Sequence, residues 1–272
     1  MKLRQLPPRV RPFRAVARRG FTLVELMAAV AIIGVLMSLL LTAVQAGREM
    51  ARKTACASNL HNQLLAVHEF QAVHRYFPPG RQVSPTREHS WCLESLPYLE
   101  QAALDARFDR NKPWSATGGN SAVAQTNLRI FRCPSAIQKF DGKTDYGGVM
   151  GSTITVSPGF DFENGVMIEV GRRRNNYLIQ AEIVDGMSQT IALAECADRA
   201  PDPGLWISGF NAFSHDNGPI NGKVSDDICS RHPGGAFVGF ADGRVHFLSE
   251  HTSGYVVGAL CTRNGGETVN DY

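Results

Sequence analysis

The chain has 272 residues, of which 43% are hydrophobic and 19% charged, with six cysteines and a formal net charge of +3. That length and apolar fraction exclude intrinsic disorder and leave room for one large domain or two small ones, while the cysteines are too sparse for a small disulfide-built scaffold. Seven basic residues (Lys2, Arg4, Arg9, Arg11, Arg14, Arg18 and Arg19) and no acid fall within residues 1–20, so the remaining 252 residues carry 21 basic against 25 acidic groups, a net of −4. A positive charge confined to a short tail excludes a basic nucleic-acid-binding domain, and no nucleic-acid partner is expected.

After the tail come Phe21-Thr-Leu-Val-Glu25-Leu-Met and an uncharged run over residues 26–47. That run reaches the ~20 residues a helix needs to cross a hydrocarbon layer. The basic flank predicts a cytoplasmic N-terminus, with everything after Arg48 outside. Three readings compete. A cleaved signal peptide ending at Val44-Gln45-Ala46 would have an apolar region of only about 7–15 residues. A plain anchor leaves Glu25 unexplained, since a carboxylate within an apolar segment costs up to about 3 kcal/mol at mid-bilayer. The third reading rests on Arg18-Arg19-Gly20-Phe21-Thr22-Leu23-Val24-Glu25-Leu26, which resembles the processing signal of bacterial type IV prepilins and type II secretion pseudopilins. The resemblance implies that a dedicated prepilin peptidase cuts between Gly20 and Phe21 and N-methylates Phe21, leaving Glu25 as the fifth residue of the mature chain. Glycine permits close backbone approach to the protease. The new amine is cationic, and Glu25 of a neighbouring subunit would neutralise it and set helix register. The implied partners are the prepilin peptidase, other pilin-like subunits and membrane lipid.

Beyond Arg48 the sequence turns polar but keeps a helical period in Cys56, Leu60, Leu64, Val67, Phe70 and Phe77. Nothing breaks the pattern before Phe77-Pro78-Pro79-Gly80. One helix over residues 21–76 would run about 84 Å. The expected organisation is a leader at 1–20, a transmembrane helix at 21–47, its amphipathic continuation at 48–77 and an extracytoplasmic globular domain at 78–272.

The globular part reads as mixed and loop-rich. Ser90 to Leu104 suggests one or two short helices, 111–120 a loop, and Phe131-Arg-Cys-Pro-Ser135 a turn. Strand candidates are Ile154-Thr-Val156, 166–170, 177–184 and 190–194, with a turn at Asp185-Gly186. Arg172-Arg-Arg174 reads as a solvated loop. The run 236–248 centres on Asp242-Gly243 and predicts a hairpin with a two-residue turn, pairing Phe240 with Val245, Val238 with Phe247 and Gly239 with His246. In that register Gly239 leaves room for the His246 ring.

His232 followed by nine residues and then Asp242-Gly243 resembles the H-x9-DG ending of a large bacterial family of pseudopilin-like proteins of unknown function. Matching stretches are Cys56-Ala-Ser-Asn-Leu-His, Tyr76-Phe-Pro-Pro-Gly80, Leu96-Pro-Tyr-Leu-Glu-Gln101, Cys133-Pro-Ser, Thr144-Asp-Tyr-Gly-Gly-Val-Met-Gly151, Asp185-Gly-Met-Ser-Gln-Thr-Ile191 and Thr262-Arg-Asn-Gly-Gly266. They imply an α+β, pilin-like fold, a long N-terminal helix on an antiparallel sheet with loop-rich insertions, and no particular activity. Cys92, Cys196, Cys229 and Cys261 depart from that pattern.

Six cysteines on the expected extracytoplasmic side suit oxidising conditions, and their fifteen pairings are open. Cys56–Cys133 is the candidate disulfide, because it would tie the buried face of the helix to the domain for about 2–4 kcal/mol. No C-x2-C, H-E-x-x-H, G-x-S-x-G or G-x-x-x-x-G-K spacing occurs. His215-Asp216, His232, Asp242 and His246 lie close in sequence, and Asp226-Asp227 with Asp242 are calcium candidates. Structural roles are nevertheless expected: His232 bonding backbone before Pro233, and Asp242 with Gly243 making the turn. No catalytic residue, metal or cofactor is assigned. The reading is a pilin-like subunit of the inner membrane, structural or accessory in a type IV pilus-like or type II secretion filament, and its large outer domain favours a tip or accessory place. The alternative is a membrane-anchored binding or hydrolytic domain that uses the pilin export signal.

Overall fold

Gly20, Phe21 and Thr22 precede one helix, α1, which runs Leu23–His74. The computed structural model describes residues 20–84, 87–154, 163–172, 175–216, 218–222, 227–267 and 269. The leader before Gly20, Thr155 and Val156 of one strand candidate, Arg173, Arg174 and Asp226 lie outside them. The chain divides into Met1–Arg48 and Glu49–Tyr272.

In the first unit α1 is apolar all round. Its best 18-residue window has a mean hydropathy of 2.5, and among the described residues none of it is buried. In the second unit the helix is amphipathic. Cys56, Leu60, Leu64, Val67 and Phe70 form the buried stripe that their spacing predicts, joined by Gln63 and Ala66. The helix ends at His74, earlier than the prolines require, because Arg75 takes a left-handed φ of 68°. Phe77 is therefore beyond the helix, although still buried, and its amide donates to Leu178 O at 2.8 Å.

Two sheets follow. The smaller has the order β2-β1-β4, from β1 (Arg81–Ser84), β2 (Arg87–Ser90) and β4 (Glu169–Val170). The larger has the order β6-β3-β5-β7-β8, from β3 (Tyr146–Gly151), β5 (Ile191–Glu195), β6 (Ala212–Ser214), β7 (Gly235–Phe240) and β8 (Val245–Ser249). The fold class is α+β, as expected, with one refinement. The sheets are mixed, since β1–β4 and β3–β6 are parallel while the other pairs are antiparallel. Around the sheets lie α2 (Trp91–Ser95), α3 (Ala102–Asp105), α4 (Gly119–Ala124) and α5 (Gly254–Cys261).

The helix stripe packs with Trp91, Phe131, Tyr146, Leu193 and Trp206 in one core. Val149, Ile191, Val238, Phe240 and Leu248 pack with Val257 and Leu260 of α5 in a second. The five-stranded sheet thus has apolar residues on both faces. Gly239 permits the approach of α1, since a Cβ there would lie 2.6 Å from Leu64 Cδ1. That vacancy serves Leu64 and not His246.

The hairpin differs from its expected register by one residue. Phe237 faces Phe247, Val238 faces His246 and Gly239 faces Val245. Phe240 and Arg244 flank a three-residue loop in which Gly243 donates to Phe240 O at 3.0 Å and takes a φ of 93°, a turn followed by a left-handed glycine. Asp-Gly marks the hairpin correctly, but the glycine occupies the bulge and not the second place of a two-residue turn. Residues 177–184 are not a strand. The Ile179 amide donates to Glu182 Oε2 in a short 3₁₀ turn at Gln180–Glu182, and Val184 is exposed. The strand expected at 166–170 shortens to Glu169–Val170.

Gly80 lies against β4's approach so closely that a Cβ would sit 2.1 Å from Met167 O. Gly80→Ala is expected to cost about 1–3 kcal/mol and lower the melting midpoint of the detergent-solubilised chain by roughly 3–10 °C. Gly119→Ala, which meets nothing within 4 Å, should leave it unchanged or higher. Equal midpoints in circular-dichroism melts would contradict the close approach.

Candidate functional site

The N-terminal segment begins with Gly20, Phe21 and Thr22 outside the helix. Thr22 and Glu25 form a capping box. Glu25 Oε2 accepts from the Thr22 amide at 2.9 Å and from its hydroxyl at 2.8 Å, while the Glu25 amide donates to Thr22 Oγ1 at 3.3 Å. The T-x-x-E spacing before an apolar run carries this signal in the sequence, beside the assembly reading of Glu25. Beyond it, Phe21, Leu23 and Val24 are each 74% exposed and the apolar side chains to Val44 are open on every side. A helix apolar all round needs lipid or other helices against it, which makes this segment a membrane anchor.

In the second unit, polar side chains of α1 reach the loops that pack on it. Asn59 Nδ2 donates to Arg132 O at 3.1 Å and Gln63 Nε2 to Ile130 O at 2.7 Å. Arg52 Nε donates to Ser135 Oγ at 3.1 Å, and Lys53 Nζ to Pro233 O at 2.9 Å while lying over the Phe247 ring. Tyr146 O–H reaches Cys56 O at 3.4 Å.

At the centre of these contacts Cys56, Cys133, Glu195 and His232 are all buried, with one side-chain ligand atom of each within 4.8 Å of the others. Cys56 comes from α1, Cys133 from the loop after Phe131, Glu195 from the end of β5 and His232 from the loop before β7. The His232 ring does not bond backbone, as its place before Pro233 suggested. Its Nδ1 lies 2.6 Å from Glu49 Oε1, and its Nε2 lies 3.4 Å from Cys133 Sγ and 3.5 Å from Glu195 Oε1. Burial opposes charge on this imidazole. Its hydrogen bonds to Cys133 and Glu49, with the field of Glu195, outweigh that and push it up to about 9. Burial also pushes the Glu195 carboxyl up, although its Oε2 accepts from the Phe237 amide at 2.8 Å. The Cys133 thiol is raised by its hydrogen bond to Cys56 and by burial.

The other candidate residues lie apart from this cluster: His215 Nδ1 is 3.3 Å from Asp227 Oδ1, which also accepts from the Asp216 amide at 2.9 Å. His215 is buried, with Nε2 2.7 Å from Gly218 O and Nδ1 accepting from Ile228 N–H at 3.2 Å. Asp216 Oδ1 accepts from Thr153, and Asp242 Oδ1 accepts from the Arg244 amide inside the hairpin loop. Neither is drawn to His232. All six cysteines are buried thiols outside any disulfide, with Cys56 and Cys133 adjacent.

Next to Cys133 lies a buried charge network that sequence reasoning missed. Lys143 Nζ contacts Asp145 Oδ1 at 2.5 Å and Asp198 Oδ1 at 3.1 Å, and Arg231 Nε reaches Asp198 Oδ2 at 2.6 Å. Asp145 Oδ2 accepts from the Cys133 amide at 2.9 Å, and Asp198 Oδ1 from those of Ile137 and Gln138. Two carboxylates thus fold the Cys133-Pro-Ser loop around one buried ammonium. An open groove of about 780 Å³ beside Leu65, Tyr98, Leu99, Arg129 and Ile130 has no histidine, cysteine or serine in its lining.

Residues 45–219 match the family described as protein of unknown function (DUF1559), and residues 16–41 match the prokaryotic N-terminal methylation motif. The first match stops short of His232. The chain matches no curated protein and no solved structure.

Replacing Lys143 by methionine leaves the buried Asp145 carboxylate without its ammonium and Asp198 with Arg231 in place of two cations, which is expected to cost about 3–5 kcal/mol. The loop at 133–138 should then become the first site of limited proteolysis. A Lys143→Met chain with the parental melting midpoint and cleavage pattern would show that the network does not hold the loop.

Proposed function

Since the chain belongs to the DUF1559 family of proteins of unknown function and bears a prepilin-type processing motif, we propose that it is a pilin-like subunit, structural or accessory, of a type IV pilus-like or type II secretion filament. The observation that carries this reading is the helix beginning at Leu23. Its first part, to residue 47, is capped within the motif, is apolar on every side, and is left uncovered among the described residues. Such a surface suits lipid before assembly and neighbouring helices after it. In this reading prepilin peptidase cuts between Gly20 and Phe21, and Phe21 is N-methylated. The leader (residues 1–20) faces the cytoplasm, residues 21–47 cross the inner membrane, and residues 78–272 lie outside, beyond the amphipathic continuation at 48–77. Glu25 meets the Phe21 amine of a neighbouring copy or related subunit. The size of the outer domain favours an accessory or tip place over the bulk of a shaft.

Mass spectrometry of the N-terminal peptide from native membranes is expected to find N-methylated Phe21. A chain beginning at Met1 or Gly47 would overturn the reading. Glu25→Ala should leave cleavage and the melting midpoint of the outer domain unchanged, while removing the protein from sheared or sedimentable filament fractions by at least about tenfold, the factor given by losing ~1.4 kcal/mol of subunit contact. Normal recovery of the variant in those fractions would rule out the assembly role of Glu25.

A further inference from the structure

We propose that Cys56, Cys133, Glu195 and His232 form a structural zinc site that locks α1 to the outer domain, a site independent of whether the chain assembles. The donor set is two sulfurs, one imidazole nitrogen and one carboxylate oxygen, a combination that suits a tetrahedral ion of borderline softness. At zinc–ligand lengths of about 2.0–2.3 Å, a tetrahedron has edges of about 3.3–3.8 Å. The distances from His232 Nε2 to Cys133 Sγ, 3.4 Å, and to Glu195 Oε1, 3.5 Å, already fall on such edges. All four ligand atoms lie within 4.8 Å of one another, so a small contraction completes the shell.

Two further observations point to an ion. Glu195 is fully buried, yet its Oε1 has no hydrogen-bond partner, although its Oε2 accepts from the Phe237 amide. A buried carboxylate oxygen without a hydrogen bond is costly even with His232 Nε2 at 3.5 Å, and a cation among the four groups would satisfy it. Glu49 Oε1 lies 2.6 Å from His232 Nδ1, on the side of the ring away from the cluster. A carboxylate that accepts a hydrogen bond from Nδ1–H fixes the neutral ring in the tautomer whose Nε2 lone pair faces Cys133 and Glu195, the orientation a metal-ligating histidine requires. Binding would release the protons of the two thiols, and of Nε2 where it carries one, as zinc–sulfur and zinc–nitrogen bonds form; no oxidation state changes. The ligands come from the helix, the loop at Cys133, the end of β5 and the loop before β7, so one ion would bind four separate stretches of chain. With four protein ligands and no exposure, the site is closed and has no place for a substrate.

The competing fate of the same sulfurs is a Cys56–Cys133 disulfide, which would leave at most two donors. The test uses the full chain extracted in detergent from its native membrane without added metal. Elemental analysis should find one zinc per chain, and peptide mapping without reductant should find Cys56 and Cys133 unlinked. The metal-stripped wild type should take up cobalt(II) with a thiolate charge-transfer band and the intense visible bands of a tetrahedral ion. Glu49→Gln, which keeps all four ligands, should weaken metal affinity by ~10–100-fold. Cys133→Ser should lose the charge-transfer intensity of one thiolate. A Cys56–Cys133 disulfide in the native protein, substoichiometric zinc with no cobalt spectrum in the reduced wild type, or a Cys133→Ser spectrum identical to wild type would each overturn the proposal. Because the wild-type chain carries the cobalt readout, misfolding of a variant does not decide the outcome.

Discussion

The seam between the C-terminal half of α1 and the loops at 130–135 and 230–233 is the constraint on which the rest of the second unit depends. An apolar stripe alone would let the helix slide or rotate by a residue with little loss of buried area, since hydrophobic contact is not directional. Here the stripe is flanked by Asn59 and Gln63, which bind backbone carbonyls, and by Glu49, Arg52 and Lys53, which hold His232, Ser135 and Pro233. Those bonds have fixed partners. They set one axial position and one rotation, and Leu64 then fits the space left at Gly239. The strands behind it are aligned by the same seam, because Tyr146 and Glu195, opposite one another in the β3–β5 register, both reach it.

What could be read from the residues follows from how local each signal is. The α1 stripe was legible because a helix reports its buried face every three or four residues. The hairpin was legible because Asp242-Gly243 is a strong turn signal, though a turn dipeptide cannot distinguish a two-residue loop from a three-residue loop with a left-handed glycine. The residues that sequence left as loop or mistook share a different property. β1 and β2 read Arg-Gln-Val-Ser and Arg-Glu-His-Ser, polar runs made strands by each other and by β4. β3 is rich in glycine because Gly147 and Gly148 lie against Phe213 and Met167, where a side chain would collide. Conversely, residues 177–184 have strand composition but join neither sheet, and Gln180–Glu182 turns as a 3₁₀ helix. In each case the deciding partner is distant in sequence.

The candidate site shows the same division. The processing motif is contiguous and could be read outright. The buried cluster could not, because its members are separated by 62 to 77 residues between successive positions except for Glu195 and His232, and only folding brings them together. Yet the stretches that carried the family resemblance, around Cys56, Cys133, Thr144-Asp-Tyr and His232, all converge on the seam. That convergence gives those short motifs a common physical reason: they build the attachment of a long helix to a loop-rich domain.

Under the proposed assembly role, the capping box at Thr22 would give the membrane-resident chain a way to wait. Glu25 is not an empty acceptor there, since an amide and a hydroxyl of its own chain already satisfy one oxygen. A subunit that joins a filament through Glu25 therefore trades an intrachain partner for an interchain one, and only the difference between the two drives the step. Exchange of this kind favours a pool that can be drawn on and returned to. A single carboxylate then tunes reversibility as much as strength.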